Sequence, residues 1–278
     1  MKSIVHGLNS LIRNVIHCVS RPHPTFMSIA YVSFLFQLVV LVSAPLLGTK
    51  SIPRVEQKQD DELSLSFDAE ISPKTMCKAL DDLRGHFQLK RLELQAPGLE
   101  MDDRQRMVAV HALSGAVIQM SLLTHLSLSE NLLTEISLLH ISVLPILETF
   151  VVFPAPPAGD LSGEETLGFE SLRSLDLPNE TLLRRFLSYS LQDVEVLKVA
   201  NLGRNSLKLI RGLTGLQFLR IEGPSFGPPE IFALGACFRL EGIEIQSCHP
   251  LGMDDSDLHR FRAMFQNLRS LSIVAQDM

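Results

Sequence analysis

Short leucine patterns recur along this chain at a nearly constant interval, and this periodicity restricts its fold more than any other feature. Residues 123–133, LTHLSLSENLL, match L-x-x-L-x-L-x-x-N-x-L at every specified position. The shorter L-x-x-L-x-L pattern, with conservative apolar replacements, also begins at Leu89, Leu147, Leu172, Val194, Leu216, Leu240 and Leu268. Five of the seven intervals between successive first residues are 22–25 residues long. Eight patterns in near-constant phase indicate one supersecondary unit repeated along the chain.

The last two apolar positions of each pattern are two residues apart, so both side chains point to one face of a short β-strand. The segment between two such strands has to return the chain, and its apolar residues can cover that face. We expect return helices over residues 74–87, 104–120, 135–141, 182–187, 206–213, 230–236 and 257–265. Parallel strands with helices on one side predict an α/β solenoid.

Residues 89–278 resemble the leucine-rich-repeat superfamily in its ribonuclease-inhibitor-like branch, and residues 62–88 resemble it weakly. In that family an Asn or Cys at the ninth motif position satisfies backbone groups in the turn after the strand, and Asn131 and Cys248 match it. The resemblance implies a leucine-rich-repeat solenoid, or horseshoe, over residues 62–278. Its parallel strands would line the concave face, its helices would lie outside, and its function would be non-catalytic protein–protein recognition.

The repeats are also similar to those of fungal F-box proteins, in which variable repeats select a substrate for ubiquitin ligation. An F-box should precede the repeats, with an L-P-x-E start and a Trp near its end. No such start precedes them here, and the chain contains no Trp. A substrate-recognition subunit of a ubiquitin ligase that lacks the F-box is therefore an alternative function, and an unrecognised enzyme is a second.

The first 55 residues differ in character from the repeats. Residues 1–25 form a basic segment whose start has amphipathic helical spacing, and residues 26–48 run for 23 residues without a charge. At about 1.5 Å per residue, a hydrophobic helix over 26–48 would cross a bilayer. We therefore expect this helix to precede the repeats, joined by a linker at 49–61, in a single-pass membrane protein. The alternatives are a targeting signal, mitochondrial targeting included, or a segment without function in a cytoplasmic or nuclear protein.

The charge balance argues against nucleic acid as a partner. Residues 1–55 contain five bases and no acid, which leaves 20 bases and 31 acids, a net charge of −11, in the remainder. A body of that sign repels phosphate. We expect a protein partner on the concave face, membrane contact through residues 26–48, and no nucleic-acid binding.

The sequence shows no recognisable catalytic motif. It has no G-x-S-x-G, H-E-x-x-H, Walker A or G-x-G-x-x-G segment, and its four cysteines include no C-x-x-C pair. We expect no enzymatic activity, no cofactor and no metal site. Cys237 and Cys248 could pair in an oxidising lumen, although reduced thiols in the core are favoured. Asp254, Asp255 and Asp257 favour a helix start over a calcium site, and residues 179–181 form an N-glycosylation sequon.

Residues that flank the paired leucines should point to the concave face. The central outward positions are Glu93, Ser127, Val151, Asp176, Lys198, Arg220, Glu244 and Ser272. Apolar and charged residues gather on this face in the middle repeats, and we take them as the candidate partner-binding site: Val151, Phe153, Val196, Lys198, Phe218, Arg220 and Glu222. An apolar centre with a charged rim is typical of a binding hot spot. The alternative is that loop 154–169 folds over these residues and buries them.

Overall fold

The computed structural model describes residues 53–275, apart from positions 60, 69, 97–98, 100, 156–167, 189–190, 204–205, 224–225 and 248–251. All of these lie in the compact unit Leu47–Met278. The amphipathic segment 1–25, the apolar segment 26–48 and the first residues of the expected linker lie outside the described residues.

The described residues form a sheet of ten strands that follow one another in chain order. The strands are β1 (Arg54–Gln59), β2 (Glu62–Ser66), β3 (Arg91–Gln95), β4 (His125–Ser129), β5 (Thr149–Phe153), β6 (Ser174–Leu177), β7 (Val196–Val199), β8 (Phe218–Gly223), β9 (Gly242–Ser247) and β10 (Ser270–Ala275). The β1–β2 pair is antiparallel, and every later neighbouring pair is parallel. Strands that are neighbours in the chain and in the sheet are what stacked repeats require.

A helix connects each pair of successive parallel strands except β5 and β6, between which most residues lie outside the described ranges. The helices are α1 (Pro73–Asp82), α2 (Asp103–Val117), α3 (Glu135–Ser142), α4 (Glu180–Phe186), α5 (Leu207–Ile210), α6 (Pro228–Phe232) and α7 (Asp255–Met264). Single 3-10 turns extend or precede some of them, at Leu83–Gly85, Glu130–Leu132 and Ala233–Ala236. α1 and α6 are therefore shorter than the apolar spacing predicts, because their last turn tightens into a 3-10 turn.

The paired apolar positions of the repeats are aligned across the sheet. One row contains Leu92, Leu126, Phe150, Leu175, Leu197, Leu219, Ile243 and Leu271, each in register with the next. All of these except Leu271 are buried in one continuous hydrophobic core. The strand register that the sequence predicts is therefore confirmed, and the outward positions lie on the opposite face of the sheet.

Residues 54–59 form a strand where the sequence suggests only a linker. β1 pairs antiparallel with β2, and Val55 lies opposite Leu65 and packs against the core. We therefore correct this part of the expected linker 49–61. Val55 is the single apolar residue of RVEQKQ, so the alternation that marks a half-buried strand is missing.

Polar side chains cap the N-terminal ends of several helices. Ser72 caps α1, and the Asp254 carboxylate accepts a hydrogen bond of 2.7 Å from the backbone N–H of Asp257 at the start of α7. The acidic cluster at 254–257 is therefore a helix cap, as predicted. Asn179, the sequon asparagine, caps α4 and donates its side-chain amide to Glu130 at 2.9 Å.

Different polar groups connect the turns of neighbouring repeats. The Asn131 amide donates to the carbonyl of Ala96 at 3.0 Å, which agrees with the role that the family resemblance gives it. Glu180 occupies the equivalent position two repeats later and accepts from the backbone N–H of Gly203 at 2.9 Å. Cys248, the other matching residue, lies outside the described residues. A repeat can thus lose the motif asparagine and keep a side chain bound to the backbone of its neighbour.

The expected single-pass membrane localisation is corrected by the structure. Over the described part of the chain, every helix is too short or too polar to cross a bilayer. The longest of them, α2, has 15 residues, whereas a spanning helix needs about 20 apolar residues. Residues 26–48, on which the expectation was based, lie outside the described residues.

Candidate functional site

The sheet offers one face that is not lined by the leucine rows. We call the outward positions of β3–β9 on this side the open face. Its central row runs from Glu93 through Ser127, Val151, Asp176, Lys198 and Arg220 to Glu244, each residue in register with the next. These side chains are all partly buried, so the row is accessible but supported by its neighbours. The position of each one is fixed by backbone pairing within the sheet.

The structure places all seven predicted site residues on the open face. Val196 and Phe218 occupy directly paired positions of β7 and β8, and Val151 and Phe153 share the same side of β5. Strand β6 separates the two apolar pairs, and its Asp176 lies between Val151 and Lys198. The apolar residues therefore form two patches with a carboxylate between them, and not the single cluster that the sequence indicates.

The Phe218 ring lies against the backbone of β9. A Cβ atom built on Gly242 would come within 2.6 Å of ring atom Cδ2 and 3.0 Å of Cε2. Gly242 is the residue paired with Phe218, and its missing side chain leaves the space that the ring fills. The ring is thereby held along the sheet at a defined position. The sequence signal for this contact is a glycine beside an aromatic residue in the same outward row.

Arg220 connects two acidic residues on the open face. Its guanidinium lies 3.0 Å from a carboxylate oxygen of Glu222 on β8 and 3.5 Å from one of Glu244 on β9. Glu244 also accepts a hydrogen bond of 3.2 Å from the side-chain amide of Gln246. Exposed ion pairs contribute little to stability, about 0–1 kcal/mol each. Their effect here is to restrict the orientation of the Arg220 side chain.

Asp176 is a partly desolvated carboxylate between the two apolar patches. Burial raises its pKa above the ordinary value, and the charges of Lys198 and Arg220 act in the opposite direction. A carboxylate that has lost part of its hydration gains from each additional hydrogen-bond donor. We add Asp176 to the candidate site, together with Glu244, which contacts Arg220. Neither belongs to the seven residues that the sequence indicates. The sequence feature that could have identified both residues is their place in the central outward row.

Outside the open face, the described residues offer a buried thiol and no metal site. Cys237 is fully buried, burial raises its pKa to about 11, and its Sγ lies 3.6 Å from the carbonyl oxygen of Ile210. This agrees with the expected core thiol, and Cys248, its alternative partner, lies outside the described residues. Within the described ranges, no group of three His, Cys, Asp or Glu side chains is arranged to hold a metal ion.

Comparisons with known proteins identify a similar solved structure but no family. No protein-family model matches the sequence, and a search of the curated proteins finds no match. Neither result supports an F-box relationship. A crystal structure of an internalin (InlF) from Listeria monocytogenes is similar, with a TM-score of 0.40 and 12% identity, over 86% of this chain and 76% of that one. The strand order and the aligned leucine rows give this chain a leucine-rich-repeat-like α/β fold.

Proposed function

We propose that this chain recognises a protein partner through the open face of its sheet and catalyses no reaction. The observation that carries the proposal is the arrangement around Phe218. An aromatic ring held against Gly242 lies beside Val196 and is followed by the Arg220–Glu222–Glu244 charge group. Buried aromatic and arginine side chains are the residues that most often dominate protein–protein binding energy.

The open face also has the rigidity that recognition favours. Its side chains stand on strands that are hydrogen-bonded on both sides from β3 to β9. Because these strands are already ordered, partner binding would lose less free energy to conformational entropy. The two apolar patches can exclude water, while Asp176 between them and the neighbouring Lys198 can select polar groups on the partner.

The proposal predicts that the double substitution Phe218→Ala and Arg220→Ala abolishes partner capture. Removing a hot-spot pair should cost at least about 2 kcal/mol of binding free energy, which is roughly a 30-fold loss of affinity. The fold should persist because both side chains lie outside the leucine rows. Capture would be quantified by proximity labelling with the wild-type and substituted full-length chains, and circular dichroism would check the fold.

A matched control removes an exposed apolar residue and an exposed arginine from the helical side. Arg104 and Met107 of α2 are suitable, because both side chains are exposed. Arg104→Ala with Met107→Ala should leave capture unchanged. Unfolding of the Phe218/Arg220 variant would show that these residues are core, as in the loop-covered alternative. If the folded variant still captured the partner fully, the partner would bind at a surface other than the open face.

A further inference from the structure

The two edges of the sheet differ in how they are protected. At one edge, β1 carries alternating charges, and Arg54 lies 3.0 Å from Glu56. At the other edge, β10 consists of SLSIVA, without a charge or a proline. In the described part of the chain no strand pairs with its outer side. An uncharged strand edge is a template for pairing with another strand, and charges on an edge strand prevent such pairing.

The side chains of β10 are as exposed as its backbone edge. Leu271 and Ile273 are 41% and 43% exposed, whereas Ile243 and Ile245, their partners on β9, are 1% and 0% exposed. Val274 on the opposite side of β10 is also exposed. Leu271 and Ile273 thus extend the buried leucine rows by one strand without being covered themselves.

The sequence of β10 is complementary to itself in the antiparallel direction. If two copies of the strand meet with Ser272 opposite Ser272, Leu271 lies opposite Ile273 of the other copy, and Ser270 lies opposite Val274. The two Leu271–Ile273 pairs then lie on the inner face at the 4.5–5.5 Å separation of directly opposed residues. A register centred on Leu271 would instead place Ile273 opposite the charged Arg269.

We propose that β10 pairs antiparallel with β10 of a second copy of this chain, with the two Ser272 residues at the two-fold axis. One segment supplies both sides of such an interface, as a two-fold symmetric contact requires. The pairing satisfies the free backbone groups of both edges and covers Leu271 and Ile273 without burying a charge. Because the two-fold axis runs perpendicular to the sheet, the open faces of both copies lie on the same side.

Disulfide trapping tests the register. Directly opposed residues in an antiparallel pair have Cα atoms about 4.5–5.5 Å apart, which lies within the range for a disulfide. Ser272→Cys in the full-length chain should therefore form a cross-linked dimer under mild oxidation. Ser270→Cys and Val274→Cys are matched controls on the same strand face. Each would lie four residues, roughly 13 Å, from its own copy and should give no more cross-linking than the wild-type chain.

Sedimentation tests the association itself. Wild-type chain at about 10–100 μM, the range typical of weak complexes, should show a dimer, and Ile273→Lys should weaken it at least about 10-fold by placing a charge in the pair. Val143→Lys, which adds the same charge at an exposed position after α3, should leave the dimer intact. A monomeric wild-type chain, an unchanged Ile273→Lys dimer, or equal cross-linking at positions 270 and 272 would each overturn the proposal.

Discussion

Replacing Leu126 with alanine is expected to lower the free energy of unfolding by about 2–5 kcal/mol. Leu126 is fully buried on β4, between Leu92 of β3 and Phe150 of β5 in the same row. The substitution removes three carbon atoms from a close-packed core and leaves a cavity that rigid neighbouring strands cannot fill. Urea unfolding of the wild-type and substituted chains, followed by circular dichroism, measures the difference.

Ser127→Ala provides the matched control because it changes the next residue of the same strand. Ser127 lies on the open face and is partly exposed, so its loss should change the unfolding free energy by less than about 0.5 kcal/mol. Equal destabilisation by the two substitutions would mean that the assignment of inward and outward positions on β4 is wrong.

Phe186→Ala is expected to cost about 3–5 kcal/mol, the largest effect of a single substitution proposed for this chain. The Phe186 side chain on α4 is fully buried, and its ring centroid lies 5.7 Å from that of Phe150 and 5.4 Å from that of Phe169. The three rings join β5, the segment before β6, and α4. Aromatic contacts of this kind add to the free energy gained by burial itself.

Phe238→Ala is the control for the loss of a phenylalanine. Its side chain is exposed, so the unfolding free energy should change by less than about 1 kcal/mol. Thermal unfolding monitored by differential scanning calorimetry would compare the two variants. A melting temperature that falls no further for Phe186→Ala than for Phe238→Ala would contradict the packing of α4 on the sheet.

The leucine rows could be predicted from the sequence because strand geometry and repeat length act together. Residues two apart, such as Leu126 and Leu128, must share a face of the strand, and a nearly constant interval places equivalent residues side by side. The outward row that contains Val151, Lys198 and Arg220 follows from the same register. These positions depend on local geometry repeated along the chain and not on any long-range contact.

The remaining features depend on contacts that periodicity does not encode. β1 has Val55 as its single apolar residue, and it is a strand because β2 offers an unpaired edge. The separation of the apolar residues into two patches arises from Asp176, whose strand lies between them in the sheet. The support of the Phe218 ring by Gly242 depends on a side-chain rotamer, which the order of residues does not specify.

Recognition through the open face is tested most directly by site-specific photo-crosslinking. A photoreactive amino acid would replace Ser174, a partly exposed residue of the open face whose strand lies between the two apolar patches. A second chain would carry it at Val108, which is exposed on α2. The partner captured by the wild-type chain should cross-link to position 174 and not to position 108. Cross-linking at position 108 alone, or equally at both positions, would contradict it.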